Sequence, residues 1–341
     1  MNRSLVTGAT GFVGGELGPR LLAEGETVRV FVRERDRLAG AVRSQVEIFE
    51  GDLQDEGDLD RAVAGCDIVL HLAALARAFV KDRRDYFRVN TDAVDSLLKS
   101  SARHGVSRVV HVSSVAALPP VGYATARGIP KAPTVYGESK YASELLVRNY
   151  VAGGGDAVIV RPSRVYGPGP WNDANGTTRL IGLYLDGKFR FRMDDGGVQA
   201  NYVHVGDVAQ GIILAARQGR RGGEYALGGQ NASLAEYLAV IANLSGVHRK
   251  VVEVPPQAVL AFGRLCDFFG YCGGSPSITS AWVNNFLEHR PMDISSSRND
   301  LGYRPRDLET GVAQTLRWLL GIGGGEENVY RTIHRVQQSG T

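Results

Sequence analysis

Cysteine, long apolar runs and an excess of one charge are all scarce in this sequence. The three cysteines, Cys66, Cys266 and Cys272, lack the spacing of a metal site, so we expect buried thiols and no bound metal. No apolar run reaches the roughly 18 residues typical of a membrane-spanning helix. The net charge is only +3, with bases and acids mixed along the chain, which argues against nucleic acid as a partner.

A targeting segment is also missing from residues 1–20, which show no basic segment followed by an apolar core and a cleavage site. We therefore expect a cytoplasmic protein without a membrane partner. The composition, 43% hydrophobic and 22% charged residues, is typical of a globular protein. A chain of this length can bury a large core, in one long domain or two connected ones.

The stretch 4–33 shows a β-α-β pattern with glycines at its first turn. A short apolar run leads to Gly8, Gly11 and Gly14, a helix-compatible segment follows, and a second apolar run at 28–32 closes the unit. Such glycines permit a tight turn, close approach of backbone N–H groups to a diphosphate, and close packing of helix on strand. The pattern predicts dinucleotide binding.

Buried strands alternate with helices through the first half of the chain. The predicted strands after the first unit are 45–49, 67–72, 108–112, 157–160 and 223–227, and the predicted helices include 58–64, 86–104 and 136–152. This alternation predicts an α/β fold of the Rossmann type, a doubly wound parallel sheet with helices on both faces.

Beyond residue 165 the alternation fades, which predicts a smaller, mostly C-terminal α+β domain for substrate. The segment 118–133, rich in proline, glycine and alanine, reads as a loop. We predict the following division: a dinucleotide-binding domain at 1–165 to which 202–228 return, a substrate domain at 166–201 and 229–322, and a loosely held tail at 323–341.

Ser114, Tyr136 and Lys140 are the candidates for catalysis, because a strand end and a helix start should bring them to one rim of the sheet. A phenol alone has a pKa of about 10. Lys140, one turn after Tyr136, and a positive nicotinamide ring would lower the pKa of Tyr136. Tyr136 would then exchange a proton with the substrate oxygen that Ser114 holds, while Lys140 also grips the nicotinamide ribose. The alternative is that Tyr136 and Lys140 lie on a solvated helix face.

Two charged residues after predicted strands bear on the cofactor. Asp52 could accept a hydrogen bond from the adenine amino group, or it could cap a helix. Arg33 follows the second strand, where NAD-binding proteins generally carry an acid, and a cation suits the 2′-phosphate of NADP. Arg35 and Arg37 strengthen this signal and the two intervening acids weaken it. We therefore expect NADP to be preferred, with NAD as the alternative.

Several short motifs follow one another at characteristic spacing. They are TGATGFVG at 7–14, GDL at 51–53, HLAA at 71–74, Asn90, SS at 113–114, YGESK at 136–140, RPSRVYGPG at 161–169 and LGYRP at 301–305. In this order they resemble the extended short-chain dehydrogenase/reductase family, its NAD(P)-dependent epimerase/dehydratase group. The resemblance covers nearly the whole chain.

The resemblance implies a bound nicotinamide dinucleotide, a small-molecule substrate, and Ser114, Tyr136 and Lys140 as catalytic residues. It also implies a homodimer formed through the helices at 86–104 and 136–152. With Arg33 from the argument above, the cofactor-binding residues would be Gly8, Thr10, Gly11, Phe12, Val13, Gly14, Arg33, Asp52, Leu53, Leu72, Ala73, Ala74, Asn90, Val112, Tyr136, Lys140, Pro162 and Val165.

The residues with which the family usually binds the diphosphate of a nucleotide sugar differ in this chain. Members acting on such sugars usually carry an Asn after the sixth strand, where this chain has Arg164, and an Arg before the YVHV-type segment, where it has Gln199 and Asn201. Arg164, Arg179 or Arg192 could substitute. An Asp-Glu pair next to Ser114, typical of the dehydratases, is also missing, so that dehydration is not expected.

The stretch 259–272 is unusually apolar. Phe262, Leu265, Phe268, Phe269 and Tyr271 could roof an oily pocket, or they could simply pack in the core. Such a pocket would resemble that of family members that act on secondary alcohols and ketones carried by hydrophobic rings.

Three hypotheses for function follow. The first is an NADP(H)-dependent alcohol/ketone oxidoreductase with a partly hydrophobic, non-nucleotide substrate. The second is a sugar or nucleotide-sugar epimerase of the same family. The third, of another class, is a cofactor-binding regulatory protein without activity.

Overall fold

The computed structural model describes residues 3–77, 80–120, 132, 134–192, 197–271 and 280–321. The predicted tail at 323–341, Cys272 and most of the predicted loop at 118–133 lie outside these ranges.

The strands fall into three sheets. A central sheet has the order β10-β6-β5-β4-β1-β2-β3, and smaller sheets have the orders β11-β9-β7 and β12-β8. All neighbours in the central sheet run parallel. The strands are β1 Arg3–Thr7, β2 Thr27–Val32, β3 Glu47–Glu50, β4 Ile68–His71, β5 Arg108–Val112, β6 Ala157–Pro162, β7 Arg164–Tyr166, β8 Phe191–Arg192, β9 Gln199–His204, β10 Glu224–Leu227, β11 Gln230–Ser233 and β12 Val252–Glu253.

Helices connect the central strands and build most of the C-terminal part. They are α1 Phe12–Ala23, α2 Gly40–Arg43, α3 Glu56–Val63, α4 Arg84–Phe87, α5 Ala93–Arg103, α6 Val135–Ala152, α7 Gly176–Leu185, α8 Val205–Gln218, α9 Leu234–Ser245, α10 Pro256–Tyr271, α11 Ser280–Leu287, α12 Ser295–Leu301 and α13 Leu308–Leu320. A π-helical turn, Arg88–Asp92, joins α4 to α5, and a 3₁₀ turn, Val115–Ala117, follows β5.

Both faces of the central sheet are covered, because its strands are apolar on both sides. On one face Leu17 of α1 and Ile212 of α8 join the core, and on the other face Leu59, Leu97 and Val147 from α3, α5 and α6 do so. This arrangement confirms the predicted Rossmann-type, doubly wound class.

The three-stranded sheet lies between the central core and a second, C-terminal core. Because side chains alternate along a strand, Ala200 and Tyr202 of β9 join the second core while Val203 joins the first. The segment 202–228 thus returns to the central sheet through α8 and β10, whereas its first strand pairs with β7 and β11.

Helix α10 differs from one of the two expectations for the stretch 259–272. Phe262, Leu265, Phe268 and Phe269 are 52–63% exposed, so they do not pack in the core, whereas their place over a pocket stays a prediction. The side chain of Tyr271 lies outside the described part of the chain. Cys266 on the same helix is only partly buried, against the expectation of a buried thiol, whereas Cys66 is buried.

Candidate active site

The turn after β1 forms a narrow cradle at the N-terminus of α1. Gly8 has a φ of +73°, and a Cβ on it would lie 2.7 Å from the backbone N of Ala73. The N–H of Gly11 donates to the Gly8 carbonyl over 2.9 Å. A Cβ on Gly14 would lie 2.2 Å from that carbonyl oxygen, so α1 can approach the turn only because Gly14 has no side chain. A cradle that any side chain would fill, at the positive end of a helix, fits a diphosphate.

Residues from the turn and from neighbouring strand ends border this cradle. Thr10 lies in the turn itself, and Phe12 and Val13 begin α1. The Thr7 hydroxyl accepts from the N–H of Ala73 over 3.2 Å. Because this bond ties the exits of β1 and β4 together, Leu72 and Ala73 lie against the glycine turn, and Ala74 follows them at an exposed position.

The two charged candidates after β2 and β3 are both exposed. Arg33 makes no ion pair with any residue that the structure describes. Asp52 accepts from the N–H of Gln54 over 3.0 Å, and Leu53 beside it is half-buried. The cap of α3 is Asp55, which accepts from the N–H of Asp58 over 2.9 Å. The alternative that Asp52 caps this helix is therefore wrong.

Ser114, Tyr136 and Lys140 come together at the end of β5. The Ser114 hydroxyl lies near the Tyr136 phenol, where it favours the phenolate, and it accepts from the N–H of Ala116 over 3.1 Å. Lys140 is 1% exposed, and its ammonium donates to the Val112 carbonyl over 2.8 Å. The alternative of a solvated helix face is thus wrong for Lys140.

Helix α6 can reach this strand end because a glycine lies in its first turn. Thr134 caps the helix by accepting from the N–H of Gly137 over 3.0 Å. A Cβ on Gly137 would lie 2.2 Å from the Ala116 carbonyl oxygen, so only glycine lets the helix lie against the turn that follows Ser114.

Burial sets the protonation states of the central pair. It raises the pKa of Tyr136 above its ordinary value of about 10, and the Ser114 hydroxyl only partly opposes this. The Lys140 ammonium donates to the Val112 carbonyl, and the joint lowering of the Tyr136 pKa by Lys140 and a positive nicotinamide ring stays a prediction. Burial also lowers the pKa of Lys140 to about 8, against the attraction of the Glu144 carboxylate. At pH 7 the site therefore holds a neutral phenol and a charged ammonium.

Asn90 is fully buried in the π-helical turn, and its described bonds all go to the protein. Its Oδ1 accepts from the N–H of Leu75 over 2.7 Å, and its Nδ2 donates to the Leu75 carbonyl and to Ser139 Oγ. It thus fixes the chain leaving β4 against α6. The last two candidates lie further along the rim: Pro162 ends β6, and Val165 is half-buried in β7.

Glu144 forms an ion-pair network beneath the site that the sequence analysis missed. Its carboxylate is fully buried, accepts from Ser113 Oγ over 2.6 Å, and receives two bonds of 2.7 Å from Arg161. Arg161 also pairs with Glu224 over 2.6 Å. Two signals were available: an acid one turn after Lys140 on the same helix face, and an arginine within an apolar strand.

Arg290 is a second residue that the sequence analysis missed. It is 5% exposed, and its Nη1 donates to the carbonyls of Val115 and Leu118 over 2.9 and 2.7 Å. Its own N–H donates to the Gln199 carbonyl over 2.7 Å. Arg290 therefore ties the turn after Ser114 to β9. We find no pattern in the sequence that would have indicated this contact.

Known proteins of similar sequence include enzymes named for ketone reduction. A protein of Synechocystis sp., named provisionally as a dihydroflavonol 4-reductase, is 30% identical over 330 residues, covering 93% of this chain and 94% of its own. A 4-hydroxy-2-methyl-3-oxo-4-farnesyl-3,4-dihydroquinoline-1-oxide ketoreductase of Stigmatella aurantiaca is 30% identical over 269 residues, covering 77% and 79%.

A similar solved structure is the dTDP-glucose 4,6-dehydratase DesIV of Streptomyces venezuelae, with NAD bound. It shares 25% identity and superposes with a TM-score of 0.73 over 94% of this chain and 97% of its own. The model of the NAD dependent epimerase/dehydratase family matches residues 4–228, from β1 through β10. The chain is thus an enzyme of the NAD dependent epimerase/dehydratase family.

Proposed function

We propose that this enzyme interconverts a secondary alcohol and a ketone by hydride transfer, with Tyr136 as the general acid and base. The observation that carries the proposal is the convergence of the Ser114 hydroxyl, the Tyr136 phenol and the buried Lys140 ammonium at the end of β5. The glycine cradle fits the diphosphate of a nicotinamide dinucleotide, which would supply the hydride carrier and, when oxidised, a positive ring. A hydroxyl, a phenol and an ammonium at one rim supply the remaining groups that the reaction requires.

The neutral phenol of Tyr136 is the protonated form that the reduction of a ketone requires. Tyr136 would give its proton to the carbonyl oxygen of the substrate, and Ser114 would donate a hydrogen bond to the same oxygen. The charge of Lys140, held by the Val112 carbonyl, would stabilise the phenolate that remains. In the reverse direction the same phenolate would take the proton from the alcohol.

We propose an apolar ketone rather than a nucleotide sugar as substrate. Arg164 lies over the ring of Tyr202, 5.7 Å from its centroid, and Arg192 pairs with Glu253 over 3.0 Å. Asn201 is buried and bonded to Asn231 over 2.7 Å. Arg164, Arg192 and Asn201 thus contact other parts of the protein, which supports a substrate without a diphosphate, and the ketoreductase from Stigmatella is named for a farnesylated substrate.

NADP is the proposed cofactor, because the acids near Arg33 are already paired. Glu34 pairs with Arg37 over 3.1 Å, and Asp36 pairs with Arg43 over 2.6 Å. Neither acid therefore pairs with Arg33, whose guanidinium could bind a 2′-phosphate. We expect Arg33→Asp to weaken NADPH binding by about tenfold or more. Fluorescence titration should show NADH binding unchanged in the same variant, and equal dissociation constants for NADPH before and after the change would contradict the assignment.

The test of the reaction is NADPH consumption with hydrophobic ketones. Tyr136→Phe should lower kcat by at least about 100-fold while leaving NADPH binding intact, and Tyr141→Phe on the same helix is the matched control. Product that forms without net loss of NADPH, from a cofactor that copurifies, would favour the epimerase. A cellular role unchanged by Tyr136→Phe would favour the regulatory protein.

A further inference from the structure

Helix α10 carries an exposed apolar face. Phe262, Leu265, Phe268 and Phe269 are 52%, 53%, 63% and 60% exposed. With 3.6 residues per turn they lie, together with Ala258 and Ala261, within an arc of about 120°. Single exposed apolar residues are ordinary, but a contiguous set this large marks a binding surface.

The opposite side of α10 attaches the helix to the protein. Val259 joins the C-terminal core, as does Val283 of α11. Asp267 accepts from the Ser280 hydroxyl over 2.5 Å, which ties the start of α11 to this helix. The exposed face is therefore presented outward by a helix whose other side is packed.

The size of this face does not suit a second copy of the chain. Its phenylalanines and Leu265 expose about 400 Å² in total, taking about 200 Å² for a whole aromatic side chain. A stable interface buries about 800 Å² from each partner, of which about 450–500 Å² is apolar, so this face is slightly smaller than half of such an interface requires. A lipid surface sets no such minimum, because binding strength there rises with the apolar area buried at the headgroup boundary and with attraction to anionic lipids.

The charge of the helix fits an anionic lipid surface. Its two charged residues are Arg264 and Asp267. Asp267 accepts a hydrogen bond from Ser280 on the packed side of the helix, whereas Arg264 is exposed at the edge of the apolar arc. The chain as a whole carries +3. In the part of the chain that the structure describes, no helix is long and apolar enough to cross a bilayer, so α10 could lie only in the plane of the surface.

We propose that α10 docks this enzyme reversibly on an anionic lipid bilayer. The apolar arc would insert to a depth of about 5–10 Å, and Arg264 would meet lipid phosphates. This binding mode departs from the sequence-based expectation of no membrane partner. It does not depend on the reaction proposed above, since docking is measured without substrate or turnover.

The test is flotation of the full-length protein with vesicles of phosphatidylglycerol and phosphatidylcholine. We expect the wild type to float, and we expect the variant Phe262→Ser/Phe269→Ser to bind more than about tenfold more weakly. Leu265→Ser should also weaken binding, whereas Leu244→Ser, which alters a leucine 44% exposed on α9, should not. Arg264→Glu should reduce binding to anionic vesicles selectively.

A second measurement keeps the proposal testable if a serine variant fails to fold. Phe268→Trp retains an aromatic side chain, and its fluorescence should be quenched by brominated lipids, while that of Leu244→Trp should not. The proposal is overturned if the wild type stays with the unbound fraction, if the serine variants float equally well, or if light scattering shows that they convert a dimer to a monomer. The last result would assign this face to a second copy of the chain.

Discussion

The buried carboxylate of Glu144 connects three elements beneath the site. Its partners Ser113 and Arg161 immediately precede Ser114 and Pro162, so the carboxylate joins the ends of β5 and β6 to α6. We expect Glu144→Gln to lower the free energy of unfolding by about 2 kcal/mol, because the buried Arg161 loses one of its two carboxylate partners and keeps only Glu224. Urea denaturation measures this loss.

The matched control for this change is Glu253→Gln. Glu253 also pairs with an arginine, but its side chain is 56% exposed, so its loss should cost less than about 1 kcal/mol. The Glu144 carboxylate also raises the pKa of Lys140. Glu144→Gln should therefore move the loss of activity at alkaline pH to lower pH, and a profile unchanged from the wild type would contradict this link between the two residues.

Local spacing made the candidate catalytic residues predictable. The residues that hold them in place lie far away in the sequence and were not predictable in the same way. Tyr136 and Lys140 are four residues apart on one helix, and a strand end just before the helix supplies Ser114. The contact between Glu144 and Arg161, and the bonds from Arg290 to Val115 and Leu118, join residues from different elements. They exist only once the strands have taken their order, so the sequence could single out Glu144 and Arg161 as unusual but could not show that they pair.

Gly137 sets how closely α6 can approach the turn after β5. Because a Cβ at this position would lie 2.2 Å from the Ala116 carbonyl oxygen, Gly137→Ala must move the helix or the turn. Tyr136 would then lose its alignment with Ser114. We expect kcat to fall about 100-fold, the size of effect that a misplacement of about 1 Å produces, and steady-state kinetics with saturating cofactor measures it.

Gly153→Ala is the control for this change. Gly153 follows the other end of α6, where the nearest atom to a new Cβ would lie at 3.4 Å, an ordinary contact. Its kcat should match that of the wild type. If Gly137→Ala also retains full activity, then the close approach of α6 to the 115–117 turn does not align Tyr136.

Elements with a strong local sequence pattern were predictable. Elements whose exposed and buried sides depend on neighbouring elements were not. The apolar strands and the glycine turn of the N-terminal half carry their own signal, and the structure places them as predicted. The apolar run of α10 gave no sign of its exposed face, since packing with α11 decides which side is covered. Likewise β9 resembles a strand of the central sheet, and only its pairing with β7 and β11 assigns it to the small one.

At the level of the whole molecule, the homodimer through α5 and α6 stays a prediction from the family resemblance. Leu145 on α6 is 44% exposed, which is compatible with a partner at this face. The residues of an interface face outward in a single chain, so neither hydrophobic periodicity nor the core can identify them.

Buried neutral histidines in both cores make the stability of the protein depend on pH. His71 of β4 stacks on His111 of β5, with ring centroids 5.7 Å apart, and burial lowers the pKa of His71 to about 3. The pKa of His111 is lowered in the same direction. In the small sheet, His204 Nδ1 accepts from the N–H of Gly206 at the start of α8, and burial lowers the pKa of His204 to about 3.

These histidines should destabilise the fold in acid. For His71 and His204, between an ordinary pKa of about 6.5 and the folded value of about 3, the unfolded chain binds protons that the folded protein does not, so the free energy of unfolding falls as pH falls. Between pH 7 and pH 5 His71 and His204 should each cost about 2 kcal/mol. His204→Gln should reduce this slope in urea denaturation, whereas His248→Gln, at an exposed site, should leave it unchanged. Equal slopes for His204→Gln and the wild type would show that protonation of His204 does not limit stability in acid.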